Sequence, residues 1–308
     1  MSRARALLTA LLALSGGLGG AMVSAGRAQA AVAAGDLYYE RTLMLTAGQR
    51  CGLFTPPLMA ALASAQAQAR GAALRAGTAP AVLDATGGRA RAKAMTTPCA
   101  SRVLALAAER VRAGFQGYGA LRTMDFPGDT ASWHADRTPP KGPDLNVWRL
   151  VQTQRAGWDK VDFGLVAGRG GPGLAAVAAF ADGAEPYAAR LVMRDPALAG
   201  APFLDPRTAD ARGRIPLSGR LPPRSATRAF SATGRAPAGR EILPAGTAGA
   251  WVLRFPATAE AFLAGLDPRE SVAVEFVFAG RAGDQVRTAY VEVGDFAAGR
   301  AFLAAGPR

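Results

Sequence analysis

The apolar residues of this chain change their period once, and that change limits the fold more than any single motif does. Between residues 36 and 123 they recur at the three- and four-residue spacing of a helix; from Asn146 onward they alternate with polar residues at the period of two that belongs to strands. The expected fold class is α+β. A helical domain over residues 31–124 precedes a Pro-rich linker over 125–145, and an antiparallel β-sandwich-like domain with two short C-terminal helices fills 146–308.

Within the helical region, Asp36 is a candidate N-cap, because its carboxylate can accept from free N–H groups of a first turn. Leu37, Met44 and Cys51, seven apart, share a face, and Gly52 with Pro56-Pro57 ends that helix. Residues 58–76 are rich in Ala, Leu, Gln and Arg, all good helix formers, and Gly77 suits the left-handed end. Residues 79–95 are a weaker helix, interrupted by Gly87-Gly88. Thr97-Pro98 reads as a cap followed by proline at the first helical position. Cys99, Val103, Ala107, Val111 and Phe115 then form a stripe facing a core, with Leu104 and Leu106 beside it. Pro127, Pro139, Pro140 and Pro143, set among Gly and Asp, read as a linker or long surface loop.

In the second region, Trp148–Val151 and Val161–Leu165 flank a turn at Arg155-Ala156-Gly157 and make a hairpin. Trp251, Leu253 and Phe255 form one face of another strand. The clearest hairpin joins Val272–Phe278 to Thr288–Val293 across a turn at Gly280–Asp284. Short helices are expected at Ala257–Leu266 and at Phe296–Ala305, the latter started by Asp295. Residues 195–248 carry eight prolines and should form long loops with short strands.

The N-terminus has the zones of a secretory signal. Arg3 and Arg5 make the basic n-region, Ala6–Leu14 the apolar core, and Ala28-Gln29-Ala30 the A-x-A cleavage pattern, so residues 1–30 read as a signal peptide with the cut near Ala30. The apolar run is about half of the ~20 residues that a membrane span needs, and no later stretch reaches that length. The mature chain is thus expected in the periplasm or outside the cell. Cys51 and Cys99 are its only cysteines, and two cysteines in an exported chain pair as a structural disulfide. A zinc site would need more ligands than two Cys and one His offer, and a redox pair more often has its cysteines two residues apart. No metal or cofactor is expected.

The formal net charge is +13, and removing Arg3, Arg5 and Arg27 with the signal leaves +10. Only Lys93, Lys141 and Lys160 are lysines; the other basic residues are dispersed arginines, which read as a diffuse positive field rather than a polyanion groove. Residues 31–125 hold 11 basic and 5 acidic residues, against 22 and 18 in the rest. The helical region is therefore the better candidate for an anionic surface, with Arg70, Arg75, Arg89, Arg91 and Arg102 as anion-binding candidates. Export, together with too few tyrosines for a stacking platform, argues against nucleic acid.

The sequence offers little chemistry. His134, the sole histidine, lies two residues before Asp136, which can orient its ring, but no G-x-S-x-G elbow selects a nucleophile. Gly168-Arg169-Gly170-Gly171-Pro172-Gly173 lacks a Lys-Ser/Thr, and the following Leu174–Phe180 reads as a strand, so it is a hairpin loop rather than a phosphate cradle. Asp267 with Glu270, and Asp159 with Asp162, read as residues capping or solvating turns.

The C-terminal order of Phe262–Leu266, Ser271–Phe278, Arg287–Val293 and Gly294-Asp295-Phe296 with Ala301-Phe302-Leu303 resembles the end of the invasion-associated locus B type of exported bacterial protein. The resemblance covers about residues 257–305 and implies a periplasmic β-rich domain without known catalysis. That family's β-domain usually carries cysteine pairs, which this one lacks. The expected function is a non-enzymatic envelope protein that binds a partner protein or an anionic component. The alternative is a periplasmic hydrolase using His134 and Asp136.

Overall fold

The computed structural model describes residues 19–139, 147–157, 159–167 and 172–304. Most of the expected signal peptide, Gly168–Gly171 of the glycine-dense segment and Pro140 and Pro143 of the expected linker lie outside them.

Four helices come first: α1 (Gly19–Cys51), α2 (Pro56–Arg75), α3 (Pro80–Thr96) and α4 (Arg102–Gly114). Prolines open α2 and α3, where a missing N–H costs nothing. Alanine dominates the contacts and lets the helices approach closely. Ala34 and Tyr38 of α1, Ala69, Ala73 and Leu74 of α2 and Leu83 of α3 form one buried cluster. Met44, Ala47, Leu62, Ala94, Leu104 and Ala108 form a second, which holds α4. The Cys51–Cys99 disulfide ties the end of α1 to the turn before α4.

Eleven strands follow: β1 (Thr123–Phe126), β2 (Trp133–Asp136), β3 (Trp148–Ala156), β4 (Asp159–Val166), β5 (Gly173–Ala179), β6 (Ala188–Arg194), β7 (Thr227–Ser231), β8 (Gly234–Pro237), β9 (Trp251–Arg254), β10 (Ser271–Phe278) and β11 (Gln285–Glu292). They form a seven-stranded sheet, ordered β1-β2-β3-β4-β5-β9-β8, and a four-stranded sheet, ordered β11-β10-β6-β7. Every neighbouring pair is antiparallel. One apolar core joins the sheets: Phe126, Trp133, Leu150, Phe163 and Leu174 from the first meet Leu191, Met193, Val274, Phe276 and Val291 from the second. Helices α5 (Ala257–Ala264) and α6 (Phe296–Ala304) complete it through Leu263, Phe296 and Phe302. The fold is α+β, and the expected β3–β4 and β10–β11 hairpins form. All eight residues of β10 are buried, because Arg224 and Leu217 lie over its outer face at Glu275 and Ser271.

The two regions pack against each other. α2 lies along α6, and the Ser64 hydroxyl donates to the Ala298 carbonyl at 2.9 Å. The described part of the expected linker, residues 125–139, is correspondingly more than a linker: β1 and β2 extend the large sheet and contribute Phe126 and Trp133 to its core. Two further expectations change in the helical region. Asp36 lies inside α1 and does not cap it, since the Ala-rich stretch before it continues the helix. Thr97 ends α3, and α4 opens at Arg102 after Ser101. The buried face of α4 is therefore Leu104 and Ala108, flanked by Val111 and Phe115, while Val103 and Leu106 face solvent.

Candidate functional site

A cluster of buried ionisable groups lies around the end of β11 and the start of α6. Glu292, the last residue of β11, is fully buried. Its carboxylate accepts from the backbone N–H groups of Asp129 at 2.6 Å, Thr130 at 2.8 Å and Ala131 at 3.1 Å, and from the Thr130 hydroxyl at 2.7 Å. Three consecutive amides turned on one oxyanion form an anion nest, here filled by the chain's own carboxylate. Gly128 permits the approach: a Cβ there would stand 2.7 Å from a Glu292 oxygen. Arg220 reaches Asp129 at 3.2 Å and Glu292 at 3.5 Å. Three residues beyond Glu292, Asp295 binds Arg75 of α2 through two bonds, of 2.7 and 3.0 Å. Gly71 makes room for this pair, since a Cβ at that position would lie 2.3 Å from an Asp295 oxygen.

Burial raises the Asp295 carboxyl above its ordinary value, and Arg75 offsets this only in part. Burial also works against the Arg75 charge, but the hydrogen bond and charge of Asp295 outweigh it and leave Arg75 above its usual value. Asp129 is raised as well, by burial first and by the Glu292 charge second. The Arg75–Asp295 pair joins α2 to the start of α6, whereas the Glu292 contacts join β11 to the β1–β2 loop. Arg75, expected as an anion-binding residue, has a side chain only 12% exposed and is committed to Asp295.

Asp267 and Glu270 cap the helix-to-strand turn as expected, Asp267 accepting from the Arg269 N–H and Glu270 from the Asp267 N–H, but both are buried rather than solvated. Glu270 takes Arg194 in a two-pronged pair, and Asp267 takes Arg269 in another. Asp162 is buried too; it accepts from the Thr153 hydroxyl at 2.6 Å, and burial lifts its carboxyl above the usual range.

His134 projects from the outer face of β2, opposite Asp125 of β1. Its Nδ1 lies 2.8 Å from Asp125 Oδ1, with the two side chains 51% and 72% exposed. Asp136 shares the outward face, but its carboxylate accepts from the Thr138 N–H. The acid that orients the histidine is thus Asp125, visible in sequence only once the β1–β2 register is known. Among the described residues no hydroxyl or thiol is hydrogen-bonded to the ring.

Both regions hold paired and unpaired arginines. In the β-rich region Arg190, Arg194, Arg207, Arg214, Arg220, Arg224, Arg228, Arg235, Arg269, Arg287 and Arg300 each meet a carboxylate. On the helices, Arg70 reaches Asp84 at 3.5 Å, Arg89 bonds the Thr86 hydroxyl, and Arg112 donates to the Leu53 carbonyl. Arg91, Arg102 and Arg110, with Lys93, are exposed and form no ion pair among the described residues, and Arg155, Arg212, Arg240 and Arg281 of the β-rich region are likewise exposed without one.

A cleft of about 630 Å³ opens beside the ends of β5 and β9, lined by Lys160, Phe180, Trp251 and small residues. Arg235 lies 3.5 Å above the Trp251 ring and occupies that stacking face. Among the described residues there is no group of three or more His, Cys, Asp or Glu placed to hold a metal ion, and no helix long and apolar enough to cross a membrane. No protein family, curated protein or solved structure matches the chain.

Proposed function

We propose that this chain is an exported, non-enzymatic protein that engages an anionic component of the cell envelope through the outer surface of its helices. The observation that carries the reading is the positive surplus of the helices: residues 31–125 hold 11 basic and 5 acidic residues, and Arg91, Lys93, Arg102 and Arg110 stand in solvent without a carboxylate among the described residues. Unpaired cations held on a rigid helical scaffold attract phosphate and carboxylate groups and lose that attraction as salt rises. Export is supported by the signal pattern in residues 1–30, by the Cys51–Cys99 bond, which belongs to oxidising compartments, and by the resemblance of residues 257–305 to exported proteins of the invasion-associated locus B type.

The test is association with isolated envelope fractions across a salt series, comparing the parent with an Arg91→Gln, Arg102→Gln, Arg110→Gln triple variant. The parent should be released as salt rises, and the triple variant should already be weak at low salt. Association that neither salt nor the triple variant changes would overturn the reading.

A hydrolase is the second reading, and the His134–Asp125 contact is what favours it. A base oriented by an acid still requires a nucleophile within hydrogen-bond reach. Replacing His134 with Ala separates the two: a cellular phenotype that disappears while the fold persists supports the hydrolase, and unchanged envelope association supports the binding protein.

A further inference from the structure

We infer that the outer face of α4 docks on an acidic phospholipid surface, with Val103 and Leu106 entering the headgroup layer and Arg102 and Arg110 meeting lipid phosphates. The inference rests on the anionic-envelope reading above and names its ligand. At 100° per residue, Arg102, Val103, Leu106 and Arg110 fall on one side of α4, opposite the buried Leu104 and Ala108. Val103 is 76% exposed and Leu106 49%, so two branched apolar side chains stand in water between two arginines. A charged polysaccharide or free phosphate gains nothing from those apolar groups, whereas an interface with headgroups on one side and acyl chains beneath uses both kinds. Glu109 is the one acid on this side and lies at its edge, leaving the face net positive.

The helix is also held for the purpose at both ends. Cys99, just before it, is bonded to Cys51. Near its other end Arg112 donates to the Leu53 carbonyl at 2.9 Å and lies over the Phe54 ring, while Phe115 packs among α1 and α2 residues. The docking face is therefore formed before contact and needs no ordering on binding.

The experiment uses the full folded chain and two kinds of vesicle: phosphatidylcholine alone, and phosphatidylcholine mixed with phosphatidylglycerol. Sedimentation should show binding to the acidic vesicles only. An Arg102→Gln, Arg110→Gln variant should lose about 25-fold in affinity, at about fivefold per basic residue near the surface. A Val103→Ser, Leu106→Ser variant should lose at least about tenfold, since both side chains leave the interface. All four positions are exposed, so the variants should keep the parent's circular dichroism. Equal binding to both vesicles, or a serine variant that binds as the parent does, overturns the inference. If vesicles are not bound while envelope fractions are, with the expected salt response, the lipid inference falls and the anionic-envelope reading stands. If neither is bound, both fall.

Discussion

Glu292→Gln probes the junction between β11 and the β1–β2 loop with almost no change of shape. In the parent, one carboxylate oxygen accepts from Thr130 N–H, the Thr130 hydroxyl and Ala131 N–H, and the other from Asp129 N–H, with Arg220 close by. The best amide orientation keeps its oxygen at the first position. Its NH2 then faces the Asp129 N–H and the Arg220 guanidinium, donor against donor. Two charge-assisted contacts are lost, each worth about 1.5–3 kcal/mol, and the buried Arg220 keeps only Asp129 as its counter-charge. The expected cost is about 3–5 kcal/mol, the range for breaking a buried charged network from one side. Urea unfolding should show it, followed by tryptophan fluorescence, because the Trp133 indole N–H donates to the Val293 carbonyl next to Glu292. Arg220→Met should cost less in the Glu292→Gln background than in the parent, since the two groups share one interaction. A Glu292→Gln variant within about 0.5 kcal/mol of the parent, the scatter of an ordinary surface change, would refute the assignment of this carboxylate as the anchor of loop 128–131.

Three further outcomes are expected. Asp162→Asn should stabilise the protein at neutral pH. Burial holds the folded carboxyl above its ordinary value of 3.8, so its favourable contribution is full only below that value and is lost as pH rises through the raised one; urea midpoints should show the gain shrinking toward pH 3.8, and an equal gain at both ends would count against burial as its source. Replacing Cys51 and Cys99 with Ser should cost about 4 kcal/mol for cysteines 48 residues apart, read by unfolding under oxidising conditions, with amide exchange rising first in α4. Gly71→Ala should part Arg75 from Asp295 and loosen α2 from α6; exchange protection in α6 should fall, whereas Gly88→Ala, with open space around it, should leave that protection unchanged.

The β10–β11 hairpin was legible because eight consecutive residues alternate on each strand and a glycine-containing turn joins them. β1 and β2 were not, because each has only four residues and prolines and glycines surround them. The alternation of Trp133, His134, Ala135 and Asp136 was the available signal, too short to outweigh that composition. On α4 apolar residues occupy most of the circumference, so spacing alone could not say whether Val103 or Leu104 faced the core. The arginine pairings were invisible for another reason. Arg75 and Asp295 are 220 positions apart, and only the packing of α2 on α6 decides that one candidate cation is internal while Arg102 is not.

The α2–α6 contact also sets an order of events. Ser64 meets Ala298 across 234 positions, and Asp129 meets Glu292 across 163. Neither the helical bundle nor the large sheet can close its own surface until α6 arrives, and contacts of such sequence separation form slowly. α6 thus serves as a latch: before it seats, α2 and β1–β2 expose apolar surface together, and afterward they are covered together. Cleavage in segment 140–146 should therefore leave two pieces that remain associated rather than two independent domains.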